Sequence, residues 1–302
     1  MLEARHLRKT FGSVVAVNDV SFEVKDGEIL GLIGRNGSGK TTIFRMILNF
    51  ISSEHPDSVI LWNNTPLNTQ VYDTIGYLPE ERGLYEKMTI HDQIHYFAEL
   101  RGMMPKEIDQ KIPEWMDRFQ VKGKVTDKIS TLSKGNQQKV QLIGTLIHEP
   151  AFMILDEPFS GLDPVNADLL KQGILYLRDQ GTSIIFSTHN MNNVEEICDS
   201  MLMIHDGTQV LYGPITDVRN SFGKTTIFIH TDKWTKPEIE ALPGVLSVVE
   251  REPHDFRLKI SDESYGEALF NTLTLGEYVQ TFNQQPPTLE EIFKMKAGGS
   301  NE

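Results

Sequence analysis

A single cysteine, Cys198, occurs in the 302 residues of this chain, so no disulfide can close within it. The thiol sits in "VEEICDSMLMI", where a small buried hydrophobe is the expected role rather than a reactive nucleophile. No apolar run approaches the roughly 18 residues that a membrane-spanning helix needs. The N-terminus lacks the basic, apolar and small-residue order of a signal peptide. Positive charge is scarce: 29 Lys and Arg face 42 Asp and Glu, a net charge of −13, which argues against a nucleic-acid binder. Sequence repeats and low-complexity segments are missing too, apart from a fraying "AGGSNE" tail. These absences point to a soluble cytosolic protein of one or two domains, whose contact with any membrane would run through a partner.

What is present alternates strand with helix. "VVAVNDVSFEV" and "GEILGLIG" read as strands, and "TTIFRMILNFI" as a helix apolar nearly all round and hence buried. Residues 89–120 read as an inserted helical pair broken near Pro105. "AFMILDEP" and "TSIIFSTH" are short apolar runs of the kind found in buried parallel strands. Between them, Asp163, Pro164 and Gly181 mark the two ends of one helix. This order indicates an α/β doubly wound domain. The texture changes near residue 220, and residues 222–302 read as a separate small α+β domain with strands "TTIFIH", "GVLSVVERE", "DFRLKIS" and "YVQTFNQ".

The run "LIGRNGSGKTT" carries the chemistry. Gly34, Gly37, Gly39, Lys40 and Thr41 fit G-x-x-x-x-G-K-[ST], with Arg35, Asn36 and Ser38 between them and Thr42 after. Glycines allow positive φ, so that successive N–H groups point inward as a nest for phosphate oxygens. The following helix adds its N-terminal amides. Lys40 suits the β- and γ-phosphates of a nucleoside triphosphate, and the Thr41 hydroxyl suits Mg²⁺. "FMILDEP" then ends a strand in two carboxylates, where such sheets place their ligands. Asp156 is positioned for the Mg²⁺ shell and Glu157 for orienting or deprotonating an attacking water. His189 ends the next apolar strand and is expected on the same edge, near the γ-phosphate.

Together these pieces resemble the ATP-binding-cassette (ABC) ATPases over about residues 2–217. The resemblance implies a P-loop NTPase cassette with a RecA-like core, an antiparallel β subdomain and a helical insert, here about 88–147, within a nucleotide-binding domain of residues 1–219. "TLSKGNQQKVQ" looks like the family's signature motif: Ser133 is a plausible helix N-cap, and Gly135 permits close backbone approach. In the family that helix start, here Ser133, Lys134, Gly135 and Asn136, closes on ATP held by a second cassette, giving a dimer with composite sites. Phe11 matches the aromatic that stacks on adenine. Asp163, in "SGLD", matches the loop that couples the two halves and is also the helix N-cap. The sequence departs from the family's pattern twice. A glutamine that touches metal or water appears as Glu80, where a carboxylate would bind Mg²⁺ more strongly but adds negative charge. The signature reads SKGN, with Lys134 either neutralising a polyanion or facing solvent.

"GYLPEERGLY", "LSKGNQQK" and an extension ending in "PTLEEIFK" are similar to a narrower group, the bacterial NatA-type sodium-efflux and YhaQ-type exporter ATPases. That resemblance implies an ATPase subunit peripheral to the cytoplasmic face of the membrane. It would drive a separate integral-membrane permease, received at residues 80–88, in export. The partners implied are the permease, a second cassette and ATP, and no nucleic acid. A soluble ABC ATPase acting on a macromolecular assembly is the alternative, and a regulatory cassette with little hydrolysis a third. The C-terminal domain reads as either a dimer-stabilising arm or a ligand-sensing module, with dimerisation favoured. His91 and His95 stand four apart on a helix, a metal-capable spacing. With no third ligand in matching register they are expected to form a solvated face.

Overall fold

A computed structural model describes residues 1–67, 74–81 and 83–297. The chain forms two compact units divided between Gly213 and Pro214.

The first unit opens with an antiparallel pair, β1 (Leu2–Phe11) and β2 (Val14–Val24), followed by β3 (Ile29–Ile33) and α1 (Lys40–Ile47). Then come β4 (Val59–Trp62), β5 (Thr65–Pro66) and β6 (Ile75–Leu78). An insert of α2 (Ile90–Leu100), α3 (Pro105–Arg118) and α4 (Lys134–Leu146) precedes β7 (Phe152–Leu155). The unit closes with α5 (Pro164–Asp179), β8 (Ser183–Thr188), α6 (Met191–Ile197), β9 (Ser200–His205) and β10 (Thr208–Pro214).

Among the described residues these strands form one ten-stranded sheet, in the order β5-β4-β1-β2-β10-β9-β3-β8-β7-β6. Strands β3, β7 and β8 are buried at every residue, as parallel strands covered on both faces must be. β3 runs parallel to both β8 and β9, and β7 runs parallel to β8 and β6. The register aligns Ile33 with Thr188 and Leu155 with both Phe186 and Leu78. Four C-terminal strand ends therefore open on one edge.

The helix boundaries follow local chemistry. Thr89 caps α2 by accepting from the Asp92 N–H at 3.1 Å, and Pro105 starts α3 at a position where its missing N–H has no intrahelical partner. α1 is shorter than its apolar run suggests. Asn49 takes φ 57°, its N–H donates to Met46 O and the Phe50 N–H donates to Arg45 O, which is a Schellman stop. Phe50 is thereby turned out to solvent. Cys198 has a buried thiol packed close to Gly31; burial, with Asp199 nearby, pushes it well above the usual thiol range. The expectation that His91 and His95 lack a third partner fails: α3 swings Asp109 against both rings, 2.9 Å from each Nε2. That residue lies 14 positions beyond His95, so helical spacing alone could not reveal it.

The second unit contains α7 (Ile215–Asn220), β11 (Thr226–His230), α8 (Lys236–Glu240), β12 (Val245–Glu252) and β13 (Asp255–Ile260). It ends with α9 (Tyr265–Thr274), β14 (Phe282–Gln285) and α10 (Leu289–Ala297). Its antiparallel sheet, ordered β12-β13-β11-β14, buries Phe256, Leu258 and Ile260 at alternate positions of β13 against Ile239, Leu269 and Leu273 of the helices. The last strand starts later than its apolar pattern implies. Leu275 and Gly276 both take positive φ, and the following Tyr278 is 90% exposed. Here turn geometry overrides the pattern.

One buried group makes stability depend on pH. Just beyond α4, both ring nitrogens of His148 are buried without a hydrogen-bond partner among the described residues. Burial, helped by Arg101 and Lys111, lowers its pKa to about 4. The unfolded chain regains a value near 6.5, so it binds the proton first as pH falls. Stability from this group is complete above the unfolded value and is lost between roughly pH 6.5 and 4. At pH 5 the loss should be about 2 kcal/mol relative to neutrality. Urea unfolding of wild type and His148→Gln at about pH 7.5 and 5 should show the variant losing less by that amount. Equal losses would refute the assignment.

Candidate functional site

The loop after β3 is built by steric exclusion. A Cβ on Gly34 would lie 2.3 Å from Ser38 Oγ and 2.6 Å from Ile204 O. At Gly39, φ is 109° and a Cβ would approach Ala16 O to 2.3 Å. No side chain caps the first turn of α1 and no acid lies in it, so its amides are open to an anion. The Lys40 ammonium is buried and donates to Gly34 O at 2.8 Å and Arg35 O at 3.2 Å. It also stands 3.4 Å from Glu157 Oε1.

The carboxylates arrive from the adjoining strand ends. The Asp156 N–H donates to Leu78 O at 2.8 Å, tying the end of β7 to β6. Its Oδ2 accepts from Thr41 Oγ1 at 2.9 Å and its Oδ1 from Ser187 Oγ at 2.6 Å. The Glu157 N–H in turn donates to Ser187 Oγ at 2.9 Å. Glu157 holds φ 46°, a conformation that costs a non-glycine residue about 1–3 kcal/mol and that aims its side chain back at Lys40. Glu157 Oε2 lies 3.2 Å from His189 Nδ1. One hydroxyl, Ser187, thus holds both acidic residues in place. The motif reading missed it, because a serine inside "TSIIFSTH" looks like a strand residue; its only signal is a buried hydroxyl two positions before His189.

Lys40, Thr41, Gly37, Glu80, Asp156 and Glu157 line a cavity of about 290 Å³. A neighbouring one of about 420 Å³ shares Glu80, Asp156 and Glu157 and adds Gln138 and Gln141. Glu80, just past β6, therefore borders both. Hydroxyl and carboxylate oxygens converge here, a hard donor set that fits Mg²⁺ beside an amide-lined phosphate cradle. Thr41, Asp156 and Glu80 are the residues able to hold it.

Other candidates stand apart from this cavity. Phe11, at the end of β1, is 50% exposed with Lys9 Nζ 5.7 Å from its ring centre, so it is an accessible platform rather than a core residue. Ser133 caps α4: its Oγ accepts from the Asn136 N–H at 3.4 Å and from Asn136 Nδ2 at 3.0 Å. Asn136 Oδ1 accepts from the Lys122 N–H. A Cβ on Gly135 would meet Asn166 Nδ2 at 2.9 Å, and that amide donates to Asp163. Ser133, Gly135, Asn136 and Asp163 thus form one cluster, with the Lys134 side chain exposed. The Asn166 N–H and amide hold the Asp163 carboxyl below its usual range. None of these signature residues lines the cavity around Lys40.

The model of the ABC transporter family matches residues 17–160, and that of the ATP-binding protein DrrA1-3-like C-terminal domain matches residues 213–297. The chain is 40% identical over 298 residues to the uncharacterized ABC transporter ATP-binding protein YhaQ of Bacillus subtilis, covering 99% of each. The chain belongs to the ABC transporter ATP-binding proteins. It is also 35% identical over 210 residues to the ABC transporter ATP-binding protein NatA of Bacillus subtilis, covering 69% of this chain and 85% of that one. Among solved structures, an ATP-binding subunit of an ABC transporter superposes with a TM-score of 0.68 at 30% identity, covering 74% of this chain and 93% of the other. This ABC ATPase keeps the family's cassette fold, a large mixed sheet with helices.

The double role of Ser187 is testable. Ser187→Ala leaves one Asp156 oxygen and the Glu157 N–H without their buried partner, which should lower stability by about 1–3 kcal/mol. It should also raise the Mg²⁺ concentration needed for half-maximal ATP hydrolysis. An unchanged melting temperature together with an unchanged Mg²⁺ dependence would remove Ser187 from the site.

Proposed function

We propose that this ATPase binds Mg²⁺-ATP in the cavity beside Lys40 and hydrolyses it when two cassettes close around the nucleotide, driving a separate membrane permease in export. The observation that carries this reading is the convergence of Lys40, Thr41, Asp156, Glu157 and His189 at one sheet edge, while Ser133–Asn136 lie outside it. The cavity holds the start of α1 but not that of α4, and in this reading a second copy supplies the latter.

In this reading the loop amides of residues 34–42 and Lys40 take the β- and γ-phosphates, and Phe11 stacks on the base. Thr41 and Asp156, with Glu80, hold Mg²⁺, which supplies charge neutralisation on the phosphates when bound. Phosphate oxygens draw Lys40 from Gly34 O and Glu157, and the freed Glu157 carboxylate orients water and accepts its proton. His189, hydrogen-bonded to Glu157, fixes the angle of that carboxylate. Ser133, Lys134, Gly135 and Asn136 of the second cassette present the start of α4 to the γ-phosphate. Asp163, joined to that loop through Asn166, passes the closure between cassettes.

In this reading the permease sits at a groove of about 320 Å³ lined by Tyr77, Phe97, Leu100 and Gln141, to which Gly83 of the segment 80–88 also contributes. Arg82 of that segment lies outside the described residues. Aromatic and aliphatic walls with a few polar groups suit a short amphipathic helix. No described helix is long and apolar enough to cross a membrane; in this reading the permease holds the chain at the cytoplasmic face of the membrane. The accessory domain begins at Pro214, ahead of the expected residue 222. Its edge strand β12 exposes Leu246 and Val249, an apolar pair suited to dimer contact. Export follows from the likeness of "GYLPEERGLY" and "LSKGNQQK" to exporter ATPases.

Glu157→Gln tests the reading. Turnover should fall about 10²–10⁴-fold while ATP converts the variant into a dimer that survives size-exclusion chromatography. A variant that stays monomeric and hydrolyses ATP at the wild-type rate would overturn it. Affinity purification from native membranes should also recover a multi-span protein; recovery of ribosomal or scaffold proteins alone would favour the soluble alternative.

A further inference from the structure

We propose that His91, His95 and Asp109 form a binding site for a transition-series divalent cation of the zinc class, stapling α2 to α3. Three observations support it. First, the donors converge: both Nε2 atoms lie 2.9 Å from Asp109 Oδ1, and the three ligand atoms fall within 4.8 Å of one another. Zinc bonds near 2.1 Å place tetrahedral neighbours about 3.4 Å apart, so the donors need only part by about half an ångström to admit the ion. The rings are already stacked, with centroids 4.3 Å apart. His91 and Asp109 are well exposed, so this adjustment needs rotamer changes only.

Second, the outer nitrogens are oriented. His95 Nδ1 lies 3.3 Å from Glu99 Oε1, and His91 Nδ1 lies 3.5 Å from Asp92 Oδ1. A carboxylate behind each imidazole selects the tautomer with N–H at Nδ1, which turns the Nε2 lone pair inward as a ligand. Third, hydrogen bonding satisfies the cluster only when each imidazole carries a second proton and donates at both ends, so with neutral rings it leaves lone pairs facing carboxylates. With N–H at Nδ1, each neutral ring aims its Nε2 lone pair at the Asp109 oxygen, which only accepts. With N–H at Nε2, the Nδ1 lone pair faces Glu99 or Asp92 instead. A cation among the two lone pairs and Asp109 satisfies every group and offsets the three carboxylates around it. Two imidazoles and one carboxylate favour Zn²⁺, Co²⁺ or Ni²⁺ over Mg²⁺ or Ca²⁺. The site is thereby distinct in chemistry from the oxygen-lined cavity at Thr41 and Asp156.

The staple has a mechanical consequence. α2 also carries Gln93, whose Oε1 accepts from the Tyr85 N–H at 2.7 Å, and Tyr96, which packs edge-on against Tyr85. Fixing α2 to α3 therefore steadies the chain around Tyr85.

The test is Co²⁺ titration of the metal-stripped full-length chain without nucleotide, followed by visible absorption and then Zn²⁺ competition. A second trio, His6, Asp19 and His55, is silenced by His6→Ala in every protein compared. The parent should bind one Co²⁺ with intense low-coordination bands that Zn²⁺ abolishes, and Zn²⁺ should raise its melting temperature. His95→Ala and the near-isosteric Asp109→Asn should lose both responses while keeping the parent's far-ultraviolet circular dichroism. Glu99→Gln should weaken binding about 10–100-fold through the outer hydrogen bond. Absence of the bands in the parent, or bands and Zn²⁺ affinity unchanged in His95→Ala and Asp109→Asn, would overturn the proposal.

Discussion

The organisation of the first unit depends on keeping one buried ammonium paired. Lys40 is withdrawn from water, and an unpaired charge in that position would cost several kcal/mol. Its partners are two loop carbonyls and the Glu157 carboxylate, all supplied by the C-terminal ends of parallel strands. That arrangement requires β3 and β7 on either side of β8, in a register that brings Ile33, Leu155 and Thr188 to the same edge. It also requires the tight loop that Gly34 and Gly39 make possible. In the proposed reading that same ion pair is the one a triphosphate would replace.

A second constraint is the strain at Glu157. Its left-handed backbone follows directly after a strand and is maintained because Ser187 accepts its N–H while donating to Asp156. Without that bond the carboxylate would relax away from Lys40 and His189. Positioning by backbone geometry rather than by side-chain packing leaves the Glu157 carboxylate free to change partners without unfolding its surroundings.

Much of this was legible in the residue pattern, for identifiable reasons. The phosphate loop has glycines at positions where steric clashes leave no alternative, and short all-apolar runs mark covered parallel strands. Asp163, Pro164 and Gly181 bound α5 because capping is local chemistry. Several features remained hidden because they are set by partners distant in sequence or by turns. Ser187 acts across 31 residues to Asp156, and α1 stops at a left-handed Asn49 inside an apolar run. The start of β14 is delayed by the turn at Leu275 and Gly276. Spacing describes one helix at a time, and for that reason His91 and His95 read as a solvated face until α3 supplied Asp109.

The helical insert illustrates how these levels combine. Its three helices leave the sheet between β6 and β7, the two strands whose ends carry Glu80 and Asp156. A displacement of α2 is felt at Tyr85 through Gln93, and the chain from Tyr85 leads back toward Glu80 on the cavity rim. At its other end, α4 starts at the Ser133 loop, which touches Asn166 and through it Asp163. The insert therefore meets the rest of the unit at two places, beside the strand end that carries Glu80 and at the loop beside α5. A rigid insert transmits motion between these points, whereas a loose one would absorb it. The polar seam of His91, His95 and Asp109 is the part of the α2–α3 packing least dependent on apolar burial.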